Sequence, residues 1–187
     1  QEDVLTFSQF GTRLIGHPTR KVPGIEANTG ALGHGLSLGV GMALAARMDQ
    51  RPSRVFVLMG DGELAEGSVW EAAMAAGHYR LDNLTAIIDR NRLQISGKTE
   101  TVLSMEPLES RWRDFGFETF SVDGHDHEAL YNVLTAPRIP KPRLVIANTV
   151  KGKGVSFMED NAKWHHGVPN SDQMAQAVLE LEGGEGL

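Results

Sequence analysis

Gly60-Asp61-Gly62 and Asn91 are the residues of this 187-residue chain whose types and spacing best suit chemistry on a bound ion. Residues 54 to 59 (RVFVLM) form a continuous apolar run, the pattern of a strand buried on both faces of a parallel sheet. The Asp61 carboxylate then falls at the carboxyl end of that strand, where open α/β sheets bind their ligands. Alone, the triplet is equally an ordinary tight turn, an aspartate between two glycines. The second half of the pattern argues further, because 28 residues (63 to 90) separate Gly62 from Asn91. That length holds one helix and one short strand, so Asn91 is expected at the end of the neighbouring strand. A carboxylate and an amide oxygen side by side, completed by a backbone carbonyl and two phosphate oxygens, make the hard-oxygen octahedron that Mg2+ demands.

The elements that must hold these residues read as alternating strands and helices. Residues 33 to 50 place Leu36, Val40, Leu44 and Met48 four apart, an apolar stripe, with Gly39 and Gly41 suited to close packing. The Ala-rich residues 66 to 79 form a helix and residues 84 to 88 a second buried strand. Helices at 108 to 115 and 126 to 134 and strands at 117 to 122 and 143 to 149 continue the alternation. A last helix starts at Ser171 or Asp172, both good acceptors for unpaired helix amides. The expected class is α/β, a mostly parallel β-sheet flanked by helices, with residues 1 to 182 as one domain and 183 to 187 as a tail or the start of a linker.

Composition bounds the function. Hydrophobic residues make up 41% and charged residues 22% of the chain, a globular balance, and no apolar run reaches membrane-spanning length. A formal charge of −6 argues against a nucleic-acid surface, which needs a basic face. The chain has no cysteine, which excludes disulfides, thiolate metal sites and a thiol nucleophile and is compatible with a reducing cytoplasm. It begins with glutamine and shows no charged-then-apolar leader, so it reads as part of a longer polypeptide, a domain lacking its N-terminal portion.

Two long strings, GHPTRKVPGIEANTGALGHGLSLGVGMALAARM and GDGELAEGSVWEAAMAAGHYRLDNLTAIIDRNRLQISG, together with KGKGVSFMEDNAKWHHGVP, resemble the amino-terminal region of transketolases. The likeness is strongest to the shorter kind that divides the enzyme between two polypeptides. It implies the diphosphate-binding part of a thiamine diphosphate enzyme with Mg2+, acting on sugar phosphates by moving a two-carbon ketol unit from a ketose phosphate to an aldose phosphate. The cofactor would supply the difficult carbon chemistry. The resemblance also implies a cytoplasmic oligomer, whose site is completed by a pyrimidine-binding domain or a C-terminal subunit; without it this chain would not turn over.

By the same resemblance Asp61 and Asn91 are the side-chain ligands of Mg2+, and Leu93 offers its main-chain carbonyl. Gly62 lets the backbone approach the diphosphate, or simply relieves a strained turn. Gly30 and Leu32 belong to a loop that covers the cofactor. Glu66 joins a network between paired sites or, equally, stabilises the start of a helix. His17 faces cofactor and substrate, and one of His165 and His166 touches diphosphate or substrate. His34 stands where glutamine is more usual and reads as structural. His78, His125 and His127 read as surface residues, and Lys151 and Lys153 as a solvated turn.

Two other readings remain at this level. One is a different thiamine diphosphate enzyme, such as a deoxyxylulose-phosphate synthase or a 2-oxo-acid dehydrogenase. The other is a non-catalytic α/β phosphate-binding domain; the chain lacks a suitably placed G-x-G-x-x-G, which argues against NAD.

Overall fold

A computed structural model describes residues 2–183. In chain order the elements are α1 (Gly35–Met48), β1 (Val55–Gly60), α2 (Gly67–His78), β2 (Leu84–Arg90), β3 (Leu93–Gln94), β4 (Gly97–Lys98), α3 (Thr99–Val102), α4 (Leu108–Asp114), β5 (Glu118–Asp123), α5 (His127–Thr135), β6 (Arg143–Asn148) and α6 (Ser171–Gly183). Every strand and helix expected from the apolar pattern is present, its ends shifted by at most two residues. The β3–β4 hairpin and α3 were not expected, because segments of two to four residues are too short to carry a period. Of the expected tail only Gly183 falls among the described residues, where it closes α6; residues 184 to 187 lie outside them.

The four long strands pair in parallel in the order β1-β2-β6-β5. From β1 to β2 and on to β5 the chain advances across the sheet, and from β5 to β6 it turns back. Right-handed crossovers therefore put α2 and α4 on one face and α5 on the other. The core lies on the first face, where Leu36 and Val40 of α1 and Val69 and Ala73 of α2 pack over Met59 and Ile88 of the strands. Trp112 of α4 closes the same layer, edge-on to Phe117 at 4.9 Å. This layer holds the carboxyl ends of β1 and β2 in register, Gly60 opposite Asp89.

Three packing expectations are corrected. In α1 the buried residues are Leu36, Gly39, Val40, Ala43 and Ala46, while Met48 is 81% exposed. A four-residue step overshoots a helical turn by about 40°, so three steps carry Met48 about 120° away from Leu36. Gly39 does pack closely, since a Cβ there would lie 2.4 Å from Val57 Cγ2, but a Cβ on Gly41 would meet nothing within 4 Å. Strand β1 is not buried on both faces: it is an edge strand, and Phe56 and Leu58 on its second face are 47% and 71% exposed. Helix α6 starts at Ser171 as expected, but the cap is Asn170, which exchanges hydrogen bonds with Gln173 in a reciprocal capping box. Among the described residues no helix is long and apolar enough to cross a membrane.

Candidate functional site

The parallel register carries Asp61 to the end of β1 beside Arg90, the last residue of β2, and the Asp61 amide extends the ladder by donating to the Asp89 carbonyl. Asp61 is 3% and Arg90 4% exposed. Arg90 Nη1 donates to Asp61 Oδ2 at 2.8 Å and to Thr99 Oγ1 at 3.0 Å. Its Nη2 donates to Glu106 Oε1 at 2.7 Å and to Glu100 Oε1 at 3.2 Å. The Arg92 amide also donates to Asp61 Oδ2, which fixes the turn carrying Asn91 against Asp61. Burial pushes the Asp61 carboxyl above its ordinary value, opposed by the Arg90 bond and the Arg92 amide. Burial also works against the charge of Arg90, but the bonds it donates to Glu106 and Asp61 outweigh it and raise its pKa.

With Oδ2 occupied twice, Asp61 Oδ1 is buried and accepts no hydrogen bond of ordinary geometry, although the nearby Gly62 amide also favours the charged carboxylate. A buried carboxylate oxygen left bare is costly unless a donor or cation reaches it. Asn91 lies one residue past β2, its Oδ1 accepting from the Leu93 amide at 3.0 Å, and Leu93 opens the hairpin. Gly62 starts a 3-10 turn, and a Cβ on it would lie 2.8 Å from Gln94 Cβ, so glycine lets the Asp61 turn and the hairpin approach closely. The described residues contain no group of three His, Cys, Asp or Glu side chains suited to a metal. The candidate donors at these two strand ends are of another kind, a bare carboxylate oxygen on Asp61 and an amide oxygen on Asn91, types that suit a hard divalent cation whose remaining ligands are phosphate oxygens.

His17, Gly30 and Leu32 meet around a second feature, a cavity of roughly 690 Å3 that His34, Leu58 and Glu63 also line. Gly30 has φ +127°, and a Cβ there would lie 3.2 Å from the His17 ring. His34, read from sequence as structural, therefore shares the cavity of His17, with its Nδ1 bonded to the Leu32 carbonyl at 3.0 Å. Glu63 stands at this cavity two residues after Asp61 and touches both regions. Glu66 immediately precedes α2, but its side chain accepts no capping bond there; its Cβ lies against Gly33.

Asn91 lines a third feature, a cavity of roughly 800 Å3, with Asp89, His125, Thr149, Lys151 and Lys153. His125 is exposed, as read from sequence, and its Nε2 accepts from the Val150 amide at 2.8 Å, which ties the segment after β5 to the loop after β6. His165 and His166 stack edge-to-face at 4.6 Å on a 3-10 turn that packs against β3. Desolvation first, then Lys151 and His166 nearby, holds His165 below the ordinary imidazole value.

Sequence reasoning missed Arg90, Glu63, Glu100 and Glu106. Arg90 is the detectable one: an arginine at the end of an apolar strand, next to a candidate ligand, has to find anionic partners once buried. Their positions 29, 10 and 16 residues away in sequence carry no local signal.

A parallel α/β sheet that sets an aspartate with a bare oxygen beside an asparagine at adjacent strand ends defines a cofactor-binding domain of the doubly wound class. The chain belongs to the family described as transketolase, thiamine diphosphate binding domain, which it matches over residues 1–183. It is 56% identical over 178 residues to an apulose-4-phosphate transketolase subunit from Phocaeicola vulgatus, covering 94% of this chain and 63% of that protein. It is 42% identical over 180 residues to the 6-deoxy-6-sulfo-D-fructose transketolase subunit SqwG of a Clostridium species, covering 95% of this chain and 66% of that protein. The crystal structure of transketolase from Campylobacter jejuni superposes with a TM-score of 0.90 at 34% identity, covering 97% of this chain and 30% of that one. The chain thus spans just under two thirds of the curated subunits it matches.

Proposed function

We propose that this chain is the diphosphate-binding half of a transketolase that moves a two-carbon ketol unit from a ketose phosphate to an aldose phosphate. The observation that carries this reading is Asp61: Oδ2 is held by Arg90 and the Arg92 amide, while Oδ1 is buried and bare at the end of the strand paired with the one that Asn91 follows. In this reading Asp61 and Asn91 bind Mg2+ through their side chains and Leu93 through its carbonyl. Gly62, Gly30 and Leu32 contact thiamine diphosphate, and Glu66 joins the interface between subunits. When bound, the cofactor supplies the carbon nucleophile and the electron sink for breaking the carbon–carbon bond.

The residues of the chain then bind, orient and hold charge. Asp61 keeps an anionic oxygen ready for the cation, and its other oxygen cannot swing away while Arg90 and the Arg92 amide hold it. His17 faces the reacting oxygens, and His165 or its neighbour His166 forms a hydrogen bond at the diphosphate end. Residues 1 to 182 act as one domain, and the remaining catalytic groups come from a pyrimidine-binding domain on a partner polypeptide, a division that fits relatives named as transketolase subunits. The enzyme is read as a cytoplasmic oligomer acting on sugar phosphates.

The test is cofactor titration followed by turnover. In the full-length protein with its completing subunit, thiamine diphosphate is expected to raise thermal stability only when Mg2+ is present, and NAD is expected to leave it unchanged. Turnover is then measured on a panel of ketose donors that includes apulose 4-phosphate and 6-deoxy-6-sulfo-D-fructose. Binding that ignores Mg2+ sinks the ligand assignment, and cofactor binding without ketol transfer to any aldose sinks the transketolase reading.

A further inference from the structure

Glu63 holds two backbone amides at once. Along β1 the odd-numbered residues turn their amides to β2, as Val55 does toward Asn83 and Asp61 toward Asp89. The Gly60 amide therefore points off the free edge of the sheet, and the 3-10 turn at Gly62–Ala65 brings Glu63 back so that Oε2 accepts from it at 3.2 Å. Glu63 Oε1 accepts from the Gly33 amide at 2.9 Å. Gly33 is also held through its carbonyl, which accepts from Ser68 Oγ at 2.9 Å. Its φ is +79°, and a Cβ would lie 2.4 Å from Glu66 Cβ, so the loop is pressed onto the segment that follows Asp61.

We propose that Glu63 is a positioning residue that locks the loop bearing Gly30 and Leu32 to the turn bearing Asp61 and Gly62, so that the two faces of the cofactor site are set relative to each other before any ligand arrives. This rests on the reading of the chain as a thiamine diphosphate site. The loop from 27 to 34 is largely exposed and makes no sheet ladder, so its order depends on a few bonds, of which the two at Gly33 are anchored on the cofactor side. A carboxylate suits the task because both oxygens accept. Glutamine offers one acceptor and turns an NH2 toward the other amide. Preorganising the loop removes ordering cost from the binding step.

The experiment compares Glu63→Leu, Glu63→Gln and Ser68→Ala with the parent in the full-length protein and its completing subunit. It reads amide exchange at Gly33 and Gly60 without cofactor, thiamine diphosphate affinity at saturating Mg2+, and Mg2+ dependence at fixed thiamine diphosphate. Glu63→Leu is expected to expose both amides to exchange and to weaken thiamine diphosphate about tenfold or more, the loss of two charge-assisted bonds. Glu63→Gln is expected to fall between, Ser68→Ala to affect Gly33 but not Gly60, and all three to keep the parent's Mg2+ midpoint when thiamine diphosphate is held at the same multiple of each protein's own dissociation constant. Unchanged protection at Gly33, or unchanged thiamine diphosphate affinity, in Glu63→Leu overturns the proposal. If that variant does not fold, parent-like exchange at both glycines in Glu63→Gln overturns it instead. A parent protein that binds no thiamine diphosphate refutes the cofactor reading and this inference together, whereas parent binding matched by Glu63→Leu refutes the inference alone.

Discussion

The two sides of the candidate site are built on opposite principles. Around Asp61 the charges are paired and the central pair is buried: Asp61 and Arg90 lie in the interior, and Arg90 donates to four oxygens from three different segments. Around His17 the groups are exposed, carried on loops and tied to the rest of the domain chiefly by bonds to the Gly33 backbone. An ion site demands oxygens fixed to within a fraction of an ångström, which a core supplies. In the proposed function this surface meets substrate and a second subunit, which would require it to stay accessible, and its order is correspondingly local.

The sharpest way to break this contrast is Arg90→Met, which leaves Asp61 buried without its counter-charge. Removing one partner of a buried pair costs about 3–5 kcal/mol, so a marked fall in the denaturant midpoint is expected, with much of it restored in the Arg90→Met, Asp61→Asn double variant. Additive losses would mean the two charges are not coupled.

Next in size is the proposed ligand pair. Asp61→Ala is expected to weaken Mg2+-dependent thiamine diphosphate binding by roughly 100-fold or more, and Asn91→Ala by about tenfold, because only the carboxylate brings charge to a divalent ion. Calorimetric titration ranks the two, and the reverse order would displace Asp61 as the principal ligand. His17→Ala probes the other side: the rate of carbon–carbon cleavage should drop about 10- to 100-fold with cofactor affinity nearly intact, since its proposed contact is with oxygens that gain charge in the transition state. Should it lose cofactor as fully as Asp61→Ala with its fold preserved, His17 becomes a cofactor-retaining residue.

The smallest effect is acid sensitivity. Glu100 is held below the ordinary value of 4.5 by Ser104 first and then by the Met105 amide and Arg90, and Glu106 by the Leu108 amide first and then by Arg90. Depressed carboxyls add stability above their unfolded value that is lost as the pH falls through 4.5 and below. Both are partly exposed, so screening keeps the contribution modest. The expected result is a shallow decline of the unfolding midpoint on acidification, flattened in Arg90→Met; an equally steep decline in that variant would place the acid response elsewhere.

Much of this molecule was legible in residue order, and the limit has a physical basis. The apolar runs at 54 to 59 and 84 to 88, the Ala-rich helix between them and the glycines around Asp61 are local patterns, so they determined a strand-turn-helix-strand unit and with it the adjacency of Asp61 and Asn91. The string around Gly30 likewise brought its loop and His17 to one candidate group, and they line one cavity. Residue order did not show that β1 would be an edge strand with Phe56 and Leu58 exposed, because burial depends on what covers a face and not on the residues that form it. Nor did it single out Arg90 as the buried partner of Asp61, or Glu63 as the shared acceptor of Gly60 and Gly33. Helical and strand periods are written in neighbouring side chains, whereas a hydrogen bond across about thirty residues exists only once packing and register have brought its two ends together, and that was decided by the tertiary structure alone.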